Sequence, residues 1–503
     1  MWHMNRTKIA ALAMTAVVLL GGCGRGTPGA SVGEQTTTPG PSPAATQFAE
    51  QLAERIRGEA LVGHLRKLQQ IADENGGNRA LGSPGYDASV DYVAGALRDK
   101  GFDVQTPEFE VRLPYADEPE LTVGGAKVEA KALDFTIGTP ADGLTGPLVP
   151  ARVEDTPGCT ASDYDGLPVK GAVVLVDRGH CPFGQKQAVA AERGAVALIV
   201  ANNTDGEFGG TLGEQTEVKI PVIAVDKATG DRLRAAPGQA TLKLHAGVRT
   251  ERTRNVIAQT RTGDTENVVM VGAHLDSVAE GPGINDNGSG VAAALETALQ
   301  LGSEPDVPYA VRFGFWGAEE EGLLGSMNYV SSLDLDELKN IALYLNLDMV
   351  GSPNPGYFTI DGDQSLPPDP RQPAPRVPEG SAGIERTLVA ALEKEGKEPE
   401  SIIFEGRSDY SSFTYAGIPA GGLFTGAENK KTEQQAERWG GEADVAFDPQ
   451  YHQAADTIDN VNTEALEINA RAAAYFVGIY AQDQRGRNGI PIREDRTRHV
   501  VKS

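Results

Sequence analysis

Basic side chains are scarce in this 503-residue chain, with 45 Lys and Arg against 70 Asp and Glu, giving a formal net charge of -25 and a pI near 4.7. Phosphate recognition needs clustered Lys and Arg, so nucleic acid is excluded as a partner. An acidic surface suits solubility and cationic ligands instead. Cysteine is nearly missing too, with 3 residues and no CxxC spacing, which argues against a thiolate zinc site. The apolar run from Ile9 to Leu20 is too short to span a bilayer comfortably. No internal repeat is present. There remains ample material for a core, at a length that fits two folded domains plus non-globular ends.

Arg6 and Lys8 precede that apolar run, the layout of an export signal over residues 1–22. It ends in Leu20-Gly-Gly-Cys23, which resembles the lipobox of bacterial lipoproteins and implies that Cys23 becomes the lipidated first residue. An ordinary cleaved signal with an incidental cysteine is the alternative. The reading is an exported protein held at the outer face of the cell membrane by a lipid anchor alone, with release into the medium as a further outcome. Cys159 and Cys181 are then either a disulfide, the simplest state for an even pair in an exported chain, or two buried thiols.

Residues 23–46 are mostly Gly, Pro, Ser and Thr and read as a flexible tether, holding the folded domains about 25 Å from the membrane. Phe48 to Gly101 shows the apolar spacing of two core helices, through Leu61, Leu65, Leu68 and Ile71, then Val90, Val93 and Leu97. Short β-rich runs come next, at 171–177 and 197–201, joined by a helix from Phe183 to Arg193, and residues 134–246 are assigned to a small inserted β-rich domain. The main domain, 47–133 and 247–483, is α/β, a mixed and mainly parallel sheet flanked by helices, with strands at 267–273, 310–316 and 341–347 and a helix at 290–301. Residues 484–503 are a charged tail that is expected to fray.

Of seven histidines, His3 lies in the signal and His499 in the tail, and His64, His180 and His245 stand apart from carboxylates at strand ends. His274 follows an apolar strand in Gly272-Ala-His-Leu-Asp-Ser277 and precedes Gly283-Ile-Asn-Asp-Asn-Gly-Ser-Gly290. Glu319 and Glu320 follow a second strand, Asp348 a third, and His452 comes late, in Asp448-Pro-Gln-Tyr-His452. Ligand sites in open α/β sheets collect beyond the carboxyl ends of strands. Charges at the ends of apolar strands are costly unless paired or metal-bound, and a set of two imidazoles and several carboxylates suits two divalent ions bridged by one carboxylate. Alone, Asp286 reads as a turn residue, Asp276 as a strand-end turn, the 319–321 acidic run as a solvated face and Phe424 as a core aromatic.

These segments, with Trp316-Gly-Ala-Glu-Glu320, Asn346-Leu-Asp-Met349, Ser352-Pro-Asn-Pro-Gly356, Gly406-Arg-Ser-Asp409, Gly421-Gly-Leu-Phe-Thr-Gly426 and Tyr451-His452, closely resemble the bacterial secreted two-zinc aminopeptidases of the leucyl aminopeptidase type. The resemblance runs from about Asn255 to Ala481 and implies the zinc exopeptidase fold, two Zn2+ per chain and peptide substrates with a free N-terminus. Carried over by position, it makes Asp286 the bridging ligand, gives His274 and Asp348 to one zinc and Glu320 and His452 to the other, and makes Glu319 the general base acting on water shared by the two ions. Tyr451 would stabilise the oxyanion, Asp276 accept the spare ring N–H of His274, Arg407 lie near the substrate, and Phe424 line an apolar first-residue pocket that suits Leu. The Asp286–Asn287 bond is expected to be cis.

The insertion resembles a protease-associated domain through Lys170-Gly-Ala-Val-Val-Leu-Val-Asp-Arg-Gly179 and Cys181-Pro-Phe183. Two departures from relatives stand out: Gln450 and Ala455 replace a disulfide flanking the Tyr-His pair, and Glu467 and Arg471 stand where some relatives bind calcium through aspartates. Alternative readings are a non-catalytic binding protein on the same fold, a carboxypeptidase using Arg407 for a substrate carboxylate, or a glutaminyl cyclase.

Overall fold

The computed structural model describes residues 40–152, 157–206, 208–367, 376–486 and 489–502. Cys23 and the signal segment lie outside the described residues. Among the described residues no helix is long and apolar enough to cross a membrane.

The main sheet has eight strands, in the order Asp103–Gln105, Val256–Gln259, Tyr309–Trp316, Asp264–His274, Ile341–Leu347, Ala420–Phe424, Phe358–Ile360 and Glu400–Ile402. Its four central strands are mutually parallel, and antiparallel pairs flank them on both sides. The Ile341–Leu347 strand is buried at every position, as a strand covered on both faces must be. From Asp264–His274 the chain moves to one neighbour, Tyr309–Trp316, and then returns past it to Ile341–Leu347 on the other side. That reversal opens a crevice at the carboxyl ends of the central strands. His274 pairs with Trp316 in register, so the first histidine and the Glu319 turn emerge side by side.

The Gly288–Leu301 helix covers one face of the sheet. Asn287 caps it by accepting from Gly290 N–H. A Cβ on Gly290 would come within 2.4 Å of the Leu347 carbonyl, so only glycine lets the helix start this close to the strand.

Among the described residues three helices precede the sheet, Pro43–Ala53, Gly58–Glu74 and Pro84–Asp99; the last two are the expected core helices and the first is additional. The first begins inside the stretch expected as tether. Ser42 caps it and Pro43 opens it, a favourable start for a helix, and it packs on the Thr463–Gln482 helix.

The small domain has its own eight-stranded sheet, in the order Ala126–Val128, Glu120–Val123, Gln239–Lys243, Leu144–Pro150, Val173–Asp177, Ala197–Ala201, Val222–Val225 and Lys131–Ala132. It therefore starts near Glu120, earlier than the expected 134, because the alternating Glu120–Val123 segment buries Leu121 and Val123 against Gln239–Lys243. The Phe183–Glu192 helix falls where its spacing placed it, and Cys159 and Cys181 form a disulfide. An antiparallel ribbon, Glu108–Ala116 with Ala246–Arg254, joins the two domains. Its buried Phe109, Val111 and Leu113 pack on Ala318, next to Glu319.

The charged tail does not fray where it is described. Arg496 and Arg498 are 3% and 8% exposed. Arg498 donates to the carbonyls of Leu338, Ile341 and Gly417, and Arg496 to those of Glu266 and Lys339. Carbonyls at strand and helix ends lack partners of their own, and the arginines supply them.

Candidate metal centre

His274, Asp286, Glu319, Glu320, Asp348 and His452 converge at the carboxyl ends of the central strands and line one cavity. His274 Nε2 lies 3.2 Å from Asp286 Oδ1 and 3.4 Å from Asp348 Oδ1. His452 Nε2 lies 3.3 Å from Asp286 Oδ2 and 3.0 Å from Glu320 Oε2. The two oxygens of Asp286 thus face different histidines. One ring N–H cannot point at two carboxylates at once, whereas ligands around a tetrahedral zinc stand about 3.3–3.5 Å apart. Glu320 Oε1 is buried without a hydrogen-bond partner. Two imidazoles facing four carboxylates leave negative charge to be balanced, so the donor set fits divalent metal.

The electrostatics follow from this crowding. Burial drives the Glu319 carboxyl well above its ordinary value, Asp348, Asp409 and Glu320 push the same way, and His274 opposes. Burial and then Asp286 lift Glu320 to about 7. Burial opposes protonation of His452, but its bonds to Asp286 and Glu320 carry it up to about 10.

Backbone and neighbouring side chains hold each group. Asp286 begins a cis peptide bond to Asn287. Asp456 accepts the N–H groups of Asn285 and Asp286 at 2.9 Å each, and Asp448 accepts from Asn285 Nδ2. These aspartates flank the Tyr451-His452 turn and tie it to the Asp286 loop. A buried relay runs from Trp316 Nε1 to Tyr344, Asn346, Ser408 and the Asp348 carboxylate. Ala318, Met349 and His452, each next to or among these groups, have φ of 57°, 50° and 57°, a left-handed backbone that costs about 1–3 kcal/mol each.

Asp276 differs from its expected contact. Its carboxylate is 3.7 Å from His274 Nδ1, which lies nearer the Asp276 main-chain carbonyl, at 3.2 Å. Both carboxylate oxygens instead accept the N–H groups of Glu319 and Glu320. Asp276 therefore fixes the Glu319 turn as well as the histidine. Tyr451 stacks on His452, and its hydroxyl is 3.4 Å from Arg407, whose guanidinium is paired with Glu428 at 2.8 Å. Phe424 packs on Phe358 and lines the cavity with Met349, Ile360, Ile402 and Ile403. Glu467 and Arg471 pair with each other at 2.6 Å.

Sequence reasoning gave no role to Arg79, Ser408, Asp448 or Asp456. Ser408 sits inside a quoted motif and the two aspartates flank His452, so position alone could have flagged them. Arg79 gave no such signal.

Residues 255–477 match the family described as peptidase family M28, and residues 144–233 match the PA domain. A probable lipoprotein aminopeptidase, LpqL of Mycobacterium tuberculosis, is 62% identical over 460 residues, 91% of this chain and 92% of that one. The chain belongs to peptidase family M28. This M28 chain also resembles, in structure, the aminopeptidase of Aneurinibacillus sp. strain AM-1, with a TM-score of 0.67 and 29% identity over 86% of this chain and 96% of that one. It resembles a zinc aminopeptidase of Bacillus subtilis with a TM-score of 0.57 and 26% identity, over 86% and 98%. It is a metal-dependent aminopeptidase of the family, with the PA domain inserted, and the family implies zinc.

Proposed function

We propose that this M28 aminopeptidase holds two zinc ions and removes the first residue, a large apolar one such as Leu, from peptides with a free N-terminus. The observation that carries the reading is the division of the Asp286 carboxylate between His274 and His452. His274, Asp348 and Asp286 would hold one ion, and His452, Glu320 and Asp286 the other. Bound there, a zinc pair acidifies water and polarises the scissile carbonyl.

The protein's own groups do the rest. Glu319, 8% exposed and facing the cavity, takes a proton from the attacking water and returns it to the leaving amine. The Tyr451 hydroxyl donates to the carbonyl oxygen as negative charge develops there. Glu319 and Asp348 receive the substrate ammonium. Arg407 is already engaged by Glu428, which favours N-terminal over C-terminal recognition. The apolar wall of Phe424, Ile360 and Ile402 supports a preference for large apolar first residues. Cys23 is the proposed lipid anchor of an exported chain, tested by palmitate labelling of wild type against Cys23→Ala.

The deciding experiment strips the purified protein with chelator and restores zinc stepwise while leucine release is followed from a peptide and from its N-acetylated form. Activity returning at two zinc per chain, on the free peptide alone, is the expected result. Full activity of Glu319→Ala with intact zinc content would sink the assigned base.

A further inference from the structure

Arg79 lies in the loop between the Gly58–Glu74 and Pro84–Asp99 helices, far from the site in sequence, yet it is 0% exposed. Its guanidinium donates from Nε to the Pro282 carbonyl at 2.9 Å, from Nη2 to that of Gly283 at 2.6 Å, and from Nη1 to that of Leu275. Its main chain is tied in as well: Arg79 N–H donates to Ser277 Oγ at 2.9 Å, and Ser277 N–H donates to the Arg79 carbonyl at 3.3 Å. Leu275 directly follows His274, and Pro282 and Gly283 lead into Asp286. One planar, rigid group thus spans the two segments that carry His274 and Asp286.

A buried guanidinium is costly, so its retention needs compensation. Here the field of Asp276, Asp456, Asp286 and Glu320 favours its charge, while the bonds themselves go to main-chain carbonyls. Carbonyls fix backbone, not side-chain rotamers, so the contact sets where the two loops sit. Gly283 permits it: its φ is +60°, and an added Cβ would lie 2.3 Å from the Asp286 carbonyl oxygen and 3.3 Å from Arg79 Nη2. The Asp286 segment is then gripped on both sides, its carbonyls by Arg79 and its amides by Asp456.

We infer that Arg79 is a positioning residue of the metal centre, which sets the spacing between His274 and Asp286 and through it the affinity for metal between them and the turnover rate. This rests on the two-zinc reading above. A merely structural arginine would change how much protein folds, and leave the folded protein's zinc affinity alone.

The test uses the full chain as Arg79→Lys, Arg79→Met and Ser277→Ala, each checked for folding by near-ultraviolet circular dichroism. Zinc dissociation constants come from chelator competition, and kcat and KM from a leucyl peptide. Arg79→Met should weaken one of two zinc ions by about 10–100-fold and lower kcat, with KM held within about 2-fold. Arg79→Lys, which keeps the charge but loses the fork, should fall between it and wild type. Ser277→Ala should move the same quantities in the same direction by less, and decides the matter if neither Arg79 variant folds. Folded variants with wild-type zinc affinities and kcat overturn the inference. Wild type binding fewer than two zinc ions overturns the reading beneath it instead.

Discussion

The Ser408 hydroxyl donates to Oδ2 of Asp348, which leaves Oδ1 facing His274 Nε2 at 3.4 Å. Ser408 also accepts from Asn346 Nδ2 at 2.8 Å, so its proton can only point at the aspartate. Partners behind a ligand typically govern affinity by about 10–100-fold. Ser408→Ala should therefore lower kcat and weaken one zinc by that order while the fold persists. Zinc titration of the stripped variant, followed by leucine release, checks it. A Ser408→Ala enzyme that matches wild type in both would mean that the relay from Trp316 does not reach the site.

Asp456 is the acceptor for two buried amides, those of Asn285 and Asp286. Asp456→Ala leaves both without a partner, at a cost of about 1–3 kcal/mol each. Urea unfolding of the metal-free protein should show that loss, with Asp456→Asn, which keeps one acceptor oxygen, losing less. Equal midpoints for all three proteins would contradict the clamp.

Lys431 is 1% exposed and donates to the carbonyls of Pro355 and Gly440 with no carboxylate among those partners. Burial lowers it from 10.5 to about 8. Between those values the unfolded chain holds the proton and the folded chain has lost it, so stability rises as pH rises through the window. Below about 8 both forms are charged and the full desolvation penalty applies. Stability measured at about pH 8 and at about pH 10 should rise more in wild type than in Lys431→Met, since Lys186, also lowered to about 8 by burial, remains in both. The same slope in both proteins would assign the effect elsewhere.

Phe424 forms one wall of the cavity beside Ile360 and Ile402. Phe424→Ala should reduce kcat/KM on a leucyl peptide by about 10-fold or more and on an alanyl peptide by much less, because a small side chain never reached the lost wall. Parallel losses on the two substrates would remove Phe424 from the specificity pocket.

The grouping of His274, Asp286, Glu319, Glu320 and Asp348 was legible in the sequence because each follows an apolar strand or sits in a Gly- and Asn-rich turn, and strand ends are where a parallel sheet gathers its loops; His452 was added by the family resemblance of Tyr451-His452. The groups that hold them were not. Arg79 acts on main-chain carbonyls about 200 positions away, and carbonyls have no letter in a sequence. Asp456 likewise serves backbone amides, and only its closeness to His452 in the sequence could have marked it. The small domain's first strand was missed because Glu120–Val123 shows only two alternations, too few to separate from a loop. The tail misled for the opposite reason: its arginines read as solvated charge, yet Arg496 and Arg498 are consumed by carbonyls at element ends.

In the ribbon that joins the domains, Glu108 lies opposite Arg254 and Ala116 opposite Ala246. The chain therefore leaves the main domain and re-enters it at adjacent points, and everything beyond that pair hangs from one two-stranded stem. Cutting there and closing the stem with a tight turn would leave a β-hairpin with its packing on Ala318 intact. The small domain thus interrupts the main domain at a single place, and the two ends of that interruption are held side by side by the ribbon's own pairing.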